Sequence, residues 1–178
     1  QRYLTILRER TDALRTLTEE LFRYSVITAT LPQLTCAPVN LKDSLTTSLA
    51  AFYGPLTQRG ITPELHLPDA PVYGHADPTA LRRVFGNILN NAVKYSDGDL
   101  QVTLTADGAV TFSNHASGLD RVQTERLFDR FYTVETARSS TGLGLSIAKL
   151  LTEEMGGVIT ATYEEGQLHI RVTFPQEM

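Results

Sequence analysis

Cysteine is nearly missing from this sequence. Cys36 is the only one, which excludes a disulfide framework and a thiolate metal site. No apolar run approaches the roughly eighteen residues that a membrane-crossing helix needs, and no signal-peptide pattern is present. Surplus positive charge is lacking too. A net charge of -4 gives no general attraction to nucleic acid or to an anionic membrane, so any anion site has to be local. Internal repeats and low-complexity tracts are absent as well. What is there is a globular composition, 42% hydrophobic and 20% charged over 178 residues, enough for one core plus an appendage.

From Gln1 to about Ile27, Tyr3, Leu7, Leu14, Leu17, Leu21 and Tyr24 recur at three-, four- and seven-residue steps. This predicts a helix with a narrow apolar stripe, interrupted at Arg10, suited to one or two partner helices rather than to a globular core. Gln1 falls in what reads as the middle of that helix, so the sequence is expected to be a piece of a longer protein. The expected division is a partial helical segment over 1–28, a linker over 29–38 broken by Pro32 and Pro38, and a main domain over 39–178.

In the main domain a helix is predicted from a cap at Asn40 to about Gln58, ending near Gly60. Ile61 to Leu67 reads as a strand, with Ile61, Leu65 and Leu67 on one side, and Val72-Tyr73 as a short second piece. Asp77-Pro78 is a strong helix start, with an acidic cap and proline at the first helical position. That helix runs to Tyr95 and stops at Ser96-Asp97-Gly98. Two strands, Leu100–Thr105 and Ala109–Asn114, join across Asp107-Gly108. A loop from Ser117 passes into a short helix before Arg126, and Tyr132 to Thr141 has no apolar periodicity and reads as a connection. A helix from Leu143 to Met155 ends at Gly156-Gly157. A hairpin of Val158–Tyr163 and Leu168–Phe174 closes the chain.

The helix ending at Tyr95 carries an oddity. Asn87 and Asn91 lie four residues apart on one face, with Lys94 three further on. Asparagine is a poor helix former, and the pair alone is equally well explained as exposed amides or as amide oxygens aimed at a metal–phosphate group. Three later stretches bear on the choice. Asn114-His-Ala116-Ser-Gly118 follows a strand, Phe128-Asp-Arg130-Phe131 comes next, and Thr141-Gly142-Leu143-Gly144-Leu145 opens a helix.

In this order the four stretches resemble the asparagine, first glycine, phenylalanine and second glycine boxes of the sensor histidine kinase catalytic domain. That domain belongs to the wider GHKL, or Bergerat-fold, ATPase family with DNA gyrase and the heat-shock chaperones. The resemblance covers roughly Val39 to Pro175 and reaches the N-terminal helix as half of a dimerisation and phosphotransfer hairpin. It implies an α+β fold: a two-layer sandwich of a mixed, mainly antiparallel sheet packed on three helices, preceded by the long N-terminal helix. It also implies ATP and Mg²⁺ as ligands, with Asn91 the main metal ligand and Asn87 a supporting one. Lys94 would face phosphate, and Tyr95 would pack near adenine or ribose. Gly142 and Gly144 let the backbone approach the phosphates, flanked by Thr141, Leu143 and Leu145. Arg130 and Arg138 add charge, Phe128 and Phe131 anchor the ATP lid, and the lid itself is Thr133 to Thr141.

One box departs from the pattern. The family has an aspartate for the adenine amino group followed by two glycines, and here Asn114, Ala116 and Gly118 stand at those places. A neutral acceptor contributes about 1 kcal/mol where a charged one contributes roughly 1.5–3, so modest affinity is expected. None of His66, His75, His115 and His169 sits in the family's phosphoacceptor motif. No His/Cys/carboxylate cluster has zinc spacing, and no Ser-His-Asp set suggests a hydrolase. The resemblance therefore implies an ATP-dependent protein histidine kinase of a two-component system, relaying phosphate to a response-regulator aspartate. Its acceptor would lie on an upstream helix, with a homodimer when full-length, a cytoplasmic location and any membrane link through upstream segments. The alternative is a degenerate nucleotide-binding interaction module of the same family, and a serine-kinase anti-sigma factor is the third reading.

Overall fold

Asp77 starts the helix on which the domain is organised. Its carboxylate accepts from the backbone N–H groups of Thr79 and Ala80, both at 2.9 Å, with Pro78 at the first helical position, as expected from the sequence. The computed structural model describes residues 34–133 and 142–176. Before residue 34 it describes only Tyr3, Arg10, Thr11, Leu14, Arg15, Thr18 and Ser25. Those seven are helical and exposed, with Thr18 Oγ1 donating to the Leu14 carbonyl at 2.8 Å.

The first strand, β1, spans Ala37–Asn40 and begins inside the expected linker, taking in Pro38. It pairs antiparallel with β3, Tyr73–Ala76, and proline is tolerated because this two-stranded sheet leaves each strand an open edge. Asn40 then caps α1, Leu41–Ala51, through Lys42 and Asp43 N–H. The single helix expected to Gln58 is instead two. It breaks at Phe52 and resumes as α2, Tyr53–Gln58. Pro55 accounts for the break, since its ring would clash with the carbonyl four residues back, at Ala51. The strand expected over Ile61 to Leu67 contracts to β2, Glu64–His66, an edge strand. Ile61 is buried, but Leu65 is 45% exposed, because β2 has a neighbour on one side only.

The long helix α3 spans Pro78–Tyr95. Strands β4, Gln101–Leu104, and β5, Val110–His115, follow as the expected hairpin. Then come a short α4, Arg121–Glu125, closed by an Asp120–Gln123 capping box, and α5, Gly144–Glu154. The chain ends in β6, Val158–Glu164, and β7, Gln167–Thr173. Their turn residues Glu165 and Gly166 both have positive φ, 52° and 83°, the conformation that suits strand twist in a tight hairpin.

The main sheet has the order β2-β4-β5-β7-β6. Only the β2–β4 pairing is parallel; the others are antiparallel. Helices α1, α3 and α5 cover one face. Val102, Leu104, Val110, Phe112, Leu168, Ile170 and Val172 point into that layer, while Gln101, Thr103, Thr111, His169 and Arg171 alternate to the other side. The α3 side of the core is Leu81, Val84, Phe85, Ile88, Leu89 and Ala92, and Phe85 packs on Phe112 with ring centroids 5.8 Å apart. Truncating a ring buried like Phe85 costs about 3–5 kcal/mol. This is the expected mixed sandwich on three helices, and among the described residues no helix is long and apolar enough to cross a membrane.

Candidate functional site

With one face of α3 used by the core, the opposite ridge forms the wall of a cavity of about 850 Å³. Arg83, Asn87, Asn90, Asn91, Lys94 and Tyr95 line it from α3. Gly142, Gly144 and Leu145 line it from the start of α5, and Ala116 to Leu119 from the loop after β5. Among the described residues of the wall, Arg59, Arg83 and Lys94 stand against one carboxylate, Asp97. In a chain of net charge -4 this is a local cationic site, the only kind the composition allows.

At one end the cavity meets the N-terminus of α5. Leu143 is the cap and makes no side-chain cap bond, while the Ser146 hydroxyl is turned back to the Leu143 carbonyl at 2.9 Å. Among the described residues no side chain caps the first N–H groups of α5, and free N–H groups at a helix start suit an anion. A methyl group placed on Gly144 would sit 3.6 Å from Asn87 Oδ1, so the Asn87 amide oxygen faces this terminus. Gly142 has φ +69°, and a Cβ there would come within 2.6 Å of the Phe131 and Tyr132 backbone. Phe131 N–H donates to the Gly142 carbonyl at 3.1 Å. Glycine is thus what lets residue 142 lie directly against the Phe131–Tyr132 backbone.

The other end is stitched by side chains. Asp97 accepts from the Ser117 N–H at 2.7 Å and from its hydroxyl at 3.0 Å. Next to it, Asp99 accepts from the His115 N–H at 2.9 Å and lies 2.8 Å from His115 Nδ1. Ser96 Oγ accepts from Gly98 and Asp99 N–H, both at 3.0 Å. For Asp99, burial pushes the carboxyl pKa up, but the hydrogen bonds from His115 and Ser96 together outweigh it and hold it below its ordinary 3.8. Leu168, Leu119 and Tyr95 supply apolar surface at this end.

Of the predicted site residues, Asn87, Asn91, Lys94, Tyr95, Ala116, Gly118, Gly142, Gly144 and Leu145 meet at the cavity. Asn114 is 4% exposed and is not on its wall. It lies behind the loop beside its strand partner Leu168, donating from Nδ2 to the His115 carbonyl at 2.9 Å. Leu143 is fully buried, and Arg130 is exposed and off the wall. Arg138, Thr141 and most of the predicted lid lie outside the described residues. Phe128 packs against the core, and Phe131 is 50% exposed with φ 63°. Its backbone N–H is taken by the Gly142 carbonyl, and nearly all of the lid that the two rings are expected to anchor lies outside the described residues. The sequence reading missed Arg59, Arg83, Asn90, Asp97 and Ser117. For Arg83 and Asn90 a signal existed, since both share the helical ridge of Asn87 and Lys94.

Two amide oxygens are a poor cage for a metal by themselves. Among the described residues no cluster of three or more His, Cys, Asp or Glu exists. The donor set nevertheless fits Mg²⁺, which takes one or two protein oxygens and completes its shell with phosphates and water.

A cavity lined by a helix N-terminus, by Arg59, Arg83 and Lys94 and by an apolar, hydrogen-bonded rim suits a phosphorylated organic ligand. The chain belongs to the histidine kinase-, DNA gyrase B- and HSP90-like ATPase family, whose model matches residues 76–178. It is 30% identical over 169 residues to the sensor histidine kinase YcbM of Bacillus subtilis, covering 90% of this chain and 54% of that protein. Full-length ShkA solved in complex with AMPPNP superposes with a TM-score of 0.73 at 27% identity, over 98% of this chain and 39% of that one. The catalytic domain of histidine kinase ThkA superposes with a TM-score of 0.69 at 22% identity, over 79% of this chain and 95% of that one, which speaks for the fold. The chain spans about half the length of the curated relatives it matches.

Proposed function

We propose that this chain is the ATP-binding catalytic part of a sensor histidine kinase, and that the cavity beside α3 holds Mg-ATP. The observation that carries the reading is the meeting of Asn87, Asn91, Gly142 and Gly144, from stretches some fifty residues apart, on one cavity, with the Asn87 amide oxygen facing the start of α5. The phosphates lie at the start of α5, where backbone N–H groups and Lys94 receive their charge. Asn91 and Asn87 hold Mg²⁺, which when bound neutralises phosphate charge. Adenine lies toward Tyr95, Leu168 and the Asp97–Ser117 stitch, and Asn114 supports that end from behind as a neutral residue. Arg138 and Thr141 act from the lid. What these residues do for transfer is position and screen the reacting phosphoryl group, with no covalent step on this domain.

In the intact protein the γ-phosphoryl goes to a histidine on an upstream helix and then to a response-regulator aspartate, within a dimer on the cytoplasmic side. The segment 1–28 is the second helix of the phosphotransfer hairpin and 29–38 its linker. Tyr3 and Leu14, two residues of its apolar stripe, are 84% and 64% exposed, which suits a seam whose partner helix belongs elsewhere. Titration with a fluorescent ATP analogue tests the binding half: saturable, Mg²⁺-dependent binding is expected, and its absence would refute it. Joining an acceptor hairpin to the chain tests the transfer half. Acid-labile phosphate should appear, and vanish with Asn91→Ala; a joined protein that binds ATP without being phosphorylated would favour the interaction-module reading.

A further inference from the structure

Among the described residues of the cavity wall, Arg83 is the cation that the sequence boxes do not cover and that no described neighbour holds. Its helical neighbour Arg82 donates to Thr79 Oγ1 at 3.2 Å. Arg59, across the cavity, spends its Nε on the Val93 carbonyl at 3.0 Å. Arg83 makes no hydrogen bond or ion pair with any described residue, yet it lines the cavity. It stands four residues before Asn87 and eleven before Lys94, on the same ridge of α3. The Asn87 amide oxygen faces the N-terminus of α5, so Arg83 lies one turn, about 6 Å, beyond the phosphate end and away from the Asp97–Ser117 rim.

We propose that Arg83 binds the terminal phosphoryl group of the nucleoside triphosphate and so lets the site distinguish triphosphate from diphosphate. The assignment rests on the nucleotide reading of the cavity given above. The geometry divides the ligand along the helix. Tyr95 and the rim face the base, Asn91 and Lys94 the inner phosphates, Asn87 the start of α5, and Arg83 the far end. A guanidinium suits that place because its planar fork meets two phosphate oxygens at once and cannot lose its charge. Arg83 is exposed, so its attraction is screened by salt and falls within reach of the ridge. No fixed partner has to be broken for the side chain to turn onto the ligand.

The test compares Mg-ATP with Mg-ADP binding to the wild-type chain and to Arg83→Gln and Arg83→Lys, by calorimetry at low salt. Arg83→Gln should weaken ATP by about tenfold, the scale of one charge-assisted hydrogen bond, and leave ADP within about twofold. Arg83→Lys should recover part of the ATP affinity, and raising the salt should shrink the wild-type preference for ATP. Equal weakening of both nucleotides, or no change in either, would overturn the assignment while leaving the cavity a nucleotide site. A wild-type chain that binds neither nucleotide would overturn the reading beneath it as well. Arg83→Gln is expected to melt with the wild type, and a melting temperature well below it would show that Arg83 has a structural role instead.

Discussion

The two ends of the cavity are built from different materials. The end at α5 is made of main chain: an uncapped helix start, a glycine that lies against the Phe131–Tyr132 backbone, and a single amide oxygen turned toward them. The end at the 96–99 turn is made of side chains, with Asp97 tied to Ser117 and Asp99 to His115. Backbone donors recognise phosphate whatever residue carries them, provided nothing larger than glycine stands in the way. A side-chain network can exchange members and stay closed. This explains how Asn114 and Ala116 occupy the family's aspartate and glycine positions within an intact rim. On the proposed nucleotide reading, the phosphate end keeps the family pattern that the sequence resembles, and the base end departs from it.

The comparison can be broken from the phosphate end with the largest effect. Asn91→Ala should lower Mg-ATP affinity by about 100-fold, on the scale of removing a charge-assisted contact of roughly 1.5–3 kcal/mol, with the melting temperature within a few degrees of wild type. Calorimetry and a thermal melt check both. Gly142→Ala comes next. Its Cβ would overlap the Phe131 and Tyr132 backbone at 2.6 Å in a left-handed conformation. Strain of about 1–3 kcal/mol predicts a loss of affinity of about tenfold. If Gly142→Ala binds as the wild type does, the close approach of residue 142 to the Phe131–Tyr132 backbone does not matter to the site.

At the base end the effects shrink. Asp97→Ala removes both bonds to Ser117 but leaves the loop held by Ala116 N–H on the Gly166 carbonyl and by Tyr163 Oη on the Ala116 carbonyl, each at 3.1 Å. A loss of about threefold in ATP affinity is expected, about 0.7 kcal/mol, and a larger loss than at Gly142 would invert the comparison. The smallest effect is on pH. The Asp99 carboxyl lies below its ordinary 3.8 in the folded chain. Its contribution is therefore complete above about 3.8 and is lost as pH falls through the lower folded value. Thermal melts should show the wild type losing its advantage over Asp99→Asn only in that acid window. Asp77 is lowered as well, chiefly by the Ala80 N–H, and titrates equally in both proteins, so it drops out of the difference.

How much of this was legible in the sequence follows from the same contrast. The α3 helix could be read residue by residue because its signals are local: Asp77 and Pro78 at one end, Ser96 to Gly98 at the other, and the apolar stripe between them. The β6–β7 turn and the ends of α5 were local too. The pairing of β1 with β3 was not, since Val39 meets Gly74 across two intervening helices and a strand, and a four-residue strand beginning Ala-Pro carries no alternation to announce it. The break at Phe52 was readable from Pro55 and was passed over. In the site, the asparagines stood out because their residue type is costly inside a helix, and the glycines because two of them open one. Asp97 and Ser117 did not, because a turn aspartate and a loop serine are ordinary until the fold brings them to 2.7 Å. Arg83 sat on a ridge that the asparagines had already defined.

The division of the cavity into a base end and a phosphate end is tested most directly by amide NMR of the labelled chain, titrated first with adenosine and then with Mg-ADP. Adenosine should move only the amides around Ser96, Asp97, Ser117 and Gly118. Mg-ADP should move these together with Gly142, Gly144 and Leu145. Adenosine shifts centred on Gly144 and Leu145, or a Mg-ADP titration that leaves the start of α5 unmoved, would contradict the account.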